Sequence, residues 1–166
     1  MAHEFRGNTG AARTGSGPLG SRTGAPRSLA QTLALVFGAT FLLVGVAGFI
    51  PGVTSNYDEL TFLGTDSNAE LLGLFRVSVV HNIVHLLFGI GILAAAREQS
   101  SLIYLIGGGL TYLVVTLYGF VIDETADANF LPINDADNLL HLVLGLAMIG
   151  AGLLALAASR RTPARA

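Results

Sequence analysis

The 166-residue sequence contains no cysteine, no tryptophan and no lysine, and only 12% of its residues are charged. Without cysteine there is no disulfide, no thiol nucleophile and no thiolate metal site. A water-soluble domain carries roughly twice that charged fraction, so water is not the main solvent of this chain. The net charge is −2, and no arginine run is interleaved with aromatic residues, which argues against a nucleic-acid surface. No phosphate-binding loop is present either, because Gly107-Gly108-Gly109 sits in an apolar stretch with no lysine after it.

Apolar sequence is abundant instead. Hydrophobic residues make up 52% of the chain and glycine supplies 21 positions, with a mean hydropathy of +0.63. That profile suits closely packed helices in lipid. Residues 1–28 are rich in Gly, Arg, Ser, Thr, Ala and Pro, with Arg6, Arg13, Arg22 and Arg27 and no apolar period, and read as a disordered tail. Four apolar stretches follow: Leu29 to Ile50, Leu71 to Ala96, Leu102 to Ile122 and Leu139 to Ala158. Each is long enough to cross a hydrocarbon layer of roughly 30 Å as a helix. The expected membrane domain is therefore 29–159, with helices at about 29–50, 71–96, 102–122 and 136–159 and a short basic tail at 160–166. Pro51-Gly52 closes the first helix.

Charge orients the spans. Cytoplasmic flanks collect arginine, and here the tail has four, the Arg97-Glu98-Gln99-Ser100-Ser101 turn has one, and the end has Arg160, Arg161 and Arg165. The acidic residues Asp58, Glu59, Asp66 and Glu70 lie between spans one and two. Asp123, Glu124, Asp127, Asp135 and Asp137 lie between spans three and four. Both termini are thus expected in the cytoplasm of a bacterial plasma membrane, with lipid as the main partner and a second copy or another membrane protein as a further one. The tail's dispersed arginines offer contact to anionic lipid. A cleaved secretory signal, suggested by Val46-Ala47-Gly48, is disfavoured by the long leading segment, which has no twin-arginine pair, and by an internal counterpart of the same stretch.

That counterpart comes from aligning the chain with itself. Gly38-Ala39-Thr40-Phe41-Leu42-Leu43-Val44 matches Gly109-Leu110-Thr111-Tyr112-Leu113-Val114-Val115, and Gly48-Phe49-Ile50 matches Gly119-Phe120-Val121 in the same register. Asn82-Ile83-Val84-His85-Leu86 matches Asn138-Leu139-Leu140-His141-Leu142, with Gly89 and Gly145 four residues beyond each histidine. The expected fold is an all-α, four-helix transmembrane bundle of two parallel helical-hairpin repeats about an axis along the membrane normal.

Gly48-Phe49-Ile50-Pro51, Leu72-Gly73-Leu74-Phe75, His81-Asn82-Ile83-Val84-His85-Leu86-Leu87-Phe88-Gly89 and Ala136-Asp137-Asn138-Leu139-Leu140-His141-Leu142 together resemble an uncharacterised family of small four-span bacterial membrane proteins, classed as a domain of unknown function. The resemblance implies fold and location. It carries no activity, cofactor or catalytic residue.

Polar side chains inside hydrocarbon mark the candidate site. These are Arg76, His81, Asn82, His85, Asn138 and His141. One helical turn separates His81 from His85, Asn82 from His85 and Asn138 from His141, so each pair shares a face. The leading expectation is a non-enzymatic protein in which this polar core pins spans two and four by hydrogen bonds. A haem b held between His85 and His141 is the first alternative, with Gly89 and Gly145 making room for the porphyrin edge. The second is a divalent metal site, or a proton or ion relay, built from His81, His85 and His141 with Asp137. Arg76 is expected just inside the outer end of span two, snorkelling or paired with Glu70, Asp135 or Asp137. Asp135 and Asp137 are expected to cap span four.

Overall fold

The computed structural model describes residues 26–122, 126 and 128–161. Most of the expected tail, with Arg6, Arg13 and Arg22, lies outside the described residues, as do Asp123, Glu124, Asp127 and Arg165. Among the described residues, four helices are long and apolar enough to cross a membrane.

Helix α1 is Leu29–Ala47. It starts at a reciprocal cap in which Gln31 N–H donates to Ser28 Oγ and Ser28 N–H donates to Gln31 Oε1, leaving few unsatisfied donors at the helix start. Its buried face is the stripe Ala30, Ala34, Gly38, Phe41 and Gly45, small except for one aromatic. Gln31 Nε2 also donates to the Ala95 carbonyl at 2.9 Å, fixing α1 to the end of the second span.

The segment Leu71 to Ser78 departs from the expected helix. It forms a hairpin of strands β2 (Glu70–Leu71) and β3 (Phe75–Arg76), with β1 (Thr54–Ser55) paired antiparallel to β2. The turn carries Leu72 at φ 57° and Gly73 at φ 67°, left-handed values that no α-helix contains. A short apolar run reads the same whether it is a buried strand or the start of a helix. Here Ala69, Leu71 and Val77 bury themselves against Val44, Ala47, Val53, Leu60 and Phe75, making a small core over the end of α1.

Helix α2 begins eight residues later than expected and runs Val79–Ile90. Ser78 caps it by accepting from His81 N–H, and the Thr61 and Phe62 carbonyls accept from Val79 and Val80 N–H. A 3₁₀ segment, Gly91–Ala96, continues it, so the pair covers about 30 Å, enough for one crossing. Tyr104 occupies the space beside Gly91, and its hydroxyl donates to the Phe88 carbonyl at 3.0 Å. It thereby satisfies an acceptor near the point where the hydrogen-bonding pattern tightens.

Helices α3 (Glu98–Val121) and α4 (Asp135–Arg161) complete the fold. The turn expected at 97–101 shrinks to Arg97, because Ser101 Oγ donates back to Ala94 and Arg97 carbonyls and lets Glu98 to Ser101 join α3. Helix α1 packs chiefly on α2 and the 3₁₀ segment, and α3 on α4. Phe41, Tyr112 and Met148 form the buried centre, with Phe37, Phe88, Tyr104 and Leu144 around them. Large apolar residues such as Leu43, Leu93, Val114 and Leu154 point outward and exposed, as expected of helix faces solvated by lipid.

Candidate functional site: a buried three-histidine cluster

The site is assembled from the starts of α2 and α4. The one-turn spacing puts His81 and His85 on a common face of α2, and α4 brings His141 opposite. Ring centroids are 4.7 Å apart for His81 and His85, 5.8 Å for His81 and His141, and 6.3 Å for His85 and His141. One ring nitrogen from each histidine lies within 4.8 Å of those of the other two. All three residues are buried.

Each of these rings has a nitrogen without a partner: Nδ1 of His81, Nε2 of His85 and Nδ1 of His141. Aromatic rings wall the cluster: Phe41 lies 6.0 Å from His85 and Tyr112 5.2 Å from His141, centroid to centroid.

Two small cavities meet at the histidines. One of about 30 Å³ is lined by His81, His85, His141, Phe88 and Tyr112 among others. The second, about 70 Å³, is lined by His81, His85 and Asp137 beneath Leu71, Leu72 and Phe75 of the hairpin. Such volumes hold an ion or a few waters and fall far below the several hundred cubic ångströms of an organic-ligand pocket.

The other expected site residues divide. Asn82 and Asn138 are buried, and each fills the space left by a glycine: Asn82 lies against Gly48 and Asn138 against Gly119. Their contacts therefore run to the ends of α1 and α3. Arg76 is not in a membrane helix, since the hairpin places it in β3, half-buried and opposite Glu70 in the ladder. Its main-chain N–H donates to Asp137 Oδ2 at 3.0 Å.

Asp137 has the capping role expected of it, and more. Asn134 and Asp137 form a reciprocal cap, Asp137 N–H donating to Asn134 Oδ1 at 2.9 Å and Asn134 N–H to Asp137 Oδ2 at 3.2 Å. Together with the bond from Arg76, this carboxylate ties the hairpin to α4. The aromatic wall of Phe41, Phe88 and Tyr112 escaped sequence reasoning, because an aromatic in an apolar span signals core packing and nothing more specific.

Four membrane-length helices around a buried polar cluster define a multi-pass integral membrane protein. The family model of a domain of unknown function, DUF4383, matches residues 31–154, and the chain belongs to that family. No match was found among curated proteins or among solved structures.

Proposed function

We propose that this is a non-enzymatic, cation-binding protein of the bacterial plasma membrane, holding one divalent transition-metal ion of the zinc class between His81, His85 and His141. The observations that carry the reading are that the three buried histidines bring one ring nitrogen each within 4.8 Å of the others and that each ring has a nitrogen without a partner. Metal coordination at about 2.0–2.1 Å per nitrogen would bring them to roughly 3.4 Å from one another, and a three-histidine set is a known zinc arrangement. Pinning of spans two and four by hydrogen bonds explains the site less well. That role would satisfy the buried donors and acceptors, yet Asn82 Nδ2 and Asn138 Oδ1 are left without partners along with the histidines.

Haem is disfavoured by packing. The space beside Gly89 is taken by Leu42 and that beside Gly145 by Leu113 and the Gly109 carbonyl, which leaves these two glycines little room to offer a porphyrin edge.

The same glycine contacts support a bundle of two parallel hairpin repeats. Gly48 faces Asn82 as Gly119 faces Asn138, and Gly89 faces Leu42 as Gly145 faces Leu113. All four pairs fall at positions that the internal sequence match equates. With arginine at both ends and acid residues in the linkers between spans one and two and between three and four, both termini are assigned to the cytoplasm.

The test is a metal titration of detergent-purified, chelator-stripped protein, followed by its absorption spectrum. One equivalent of Zn²⁺ or Co²⁺ should bind, with no Soret band after growth in haem-replete medium. A stoichiometric Soret band, or no binding of either ion, would overturn the reading.

A further inference from the structure

We infer that the arginine-bearing end of the bundle holds one zwitterionic aminophospholipid, phosphatidylethanolamine, with its phosphate among Arg27, Arg97 and Arg160 and its ammonium on Glu98. The site is independent of the metal reading, because the histidines stand at the starts of α2 and α4 and this groove is at the other end of the spans.

The first observation is a cavity of about 400 Å³ lined by Ser28, Leu29, Glu98, Ala155, Ala158 and Ser159. It lies where the start of α1, the start of α3 and the end of α4 come together, and its volume is that of a small-molecule site. The 19 residues of α1 rise about 28 Å, so Ser28 stands at the edge of a hydrocarbon layer of roughly 30 Å. The groove is therefore at head-group depth. Leu29 is exposed and Ala155 is buried, an apolar floor continuous with the lipid-facing surface, while Ser28, Glu98 and Ser159 supply polar walls.

The second observation is the charge around it. Each of the three helix ends carries an arginine next in sequence to a lining residue: Arg27 beside Ser28, Arg97 beside Glu98 and Arg160 beside Ser159. All three arginines are exposed. Neither their side chains nor that of Glu98 make a hydrogen bond or ion pair among the described residues. A guanidinium is shaped to take phosphate oxygens in pairs, and basic pockets between helices at this side of a membrane bind phospholipid head groups.

Glu98 selects among those head groups. It is half-buried in the groove wall, where a carboxylate repels a second negative charge and accepts hydrogen bonds from a primary ammonium. Phosphatidylethanolamine offers a phosphate and three N–H donors, whereas phosphatidylglycerol has no cation and phosphatidylcholine has no N–H. The serines fit the same ligand. Ser28 Oγ accepts from Gln31 N–H and keeps its own hydrogen for a phosphate oxygen, and Ser159 Oγ donates to the Leu156 carbonyl and keeps its lone pairs for the ammonium.

Native mass spectrometry of delipidated, metal-free, full-length protein tests the site, with phosphatidylethanolamine, phosphatidylglycerol and phosphatidylcholine of identical acyl chains in competition. The wild type should retain one phosphatidylethanolamine, preferred about fivefold over each of the others, the scale of one exposed ion pair. Glu98→Gln keeps the side-chain shape and removes the charge, and should bring phosphatidylethanolamine down to the level of phosphatidylglycerol. Neutralising Arg97 and Arg160 together, as Arg97→Gln with Arg160→Gln, should weaken all three lipids. No preference in the wild type would overturn the site, as would phosphatidylglycerol binding ahead of phosphatidylethanolamine, which would make it a purely anionic-lipid site. An unchanged preference in Glu98→Gln, full retention without the two arginines, or no lipid retained at all would overturn it too. Should Glu98→Gln not fold, the wild-type competition decides. None of these results bears on the three-histidine centre, since no metal is present.

Discussion

Replacing His85 with alanine will weaken divalent metal binding by more than about a hundredfold, because removing a ligand must cost more than the 10- to 100-fold typical of its outer-shell supports. His85, like His81, borders both cavities, and its Nε2 is one of the unpartnered nitrogens. A purely structural histidine predicts something else. Alanine would then leave a cavity, lower the unfolding temperature and leave metal content where it was. The two are separated by titrating Zn²⁺ into His85→Ala and wild-type protein alongside thermal unfolding with and without the ion. The expected pattern is a metal-dependent rise in unfolding temperature for the wild type that the variant lacks. Equal rises in the two proteins would rule out His85 as a ligand.

The second large effect is expected at the helix contacts. Gly109→Ala should lose about 1–3 kcal/mol of stability, the usual cost of overpacking. An added Cβ would lie 2.7 Å from the Gly145 carbonyl oxygen and 3.0 Å from Ile149 N, and both are backbone atoms that cannot rotate away. Gly38→Ala should behave alike, because its Cβ would meet Ile92 N at 2.8 Å and Ile92 Cα at 2.9 Å. By contrast Gly107, two residues away on the same helix, has nothing within 4 Å of an added Cβ. Alanine there should be neutral or gain up to about 1 kcal/mol from helix propensity. Thermal or denaturant unfolding in one detergent compares them directly. Equal losses at Gly107 and Gly109 would mean that α3 and α4 do not approach through this face.

The spans were legible because hydrocarbon imposes a length and a composition that few other environments select. Leu29–Ala47 and Asp135–Arg161 fall within three residues of the expected bounds at each end. The stretch from Leu71 to Val77 was not legible as a strand pair. Its composition is as apolar as a helix start, and the signals against helix are Gly73 in the turn and Ser78 at the cap, each weak alone. That misreading carried Arg76 into span two, whereas it lies in β3 and its backbone N–H holds Asp137. His81, His85 and His141 could be placed on two helix faces from spacing alone. Their mutual distances could not, since these depend on how the two hairpins pack together, which spacing along one helix does not encode.

X-ray absorption at the zinc edge of the purified, singly loaded protein addresses the three-histidine centre most directly. The spectrum should fit nitrogen or oxygen scatterers at about 2.0–2.1 Å with outer-shell features of three imidazoles. Zinc that washes out on desalting, or a bound ion whose outer shell holds one imidazole or none, would contradict a metal held by His81, His85 and His141.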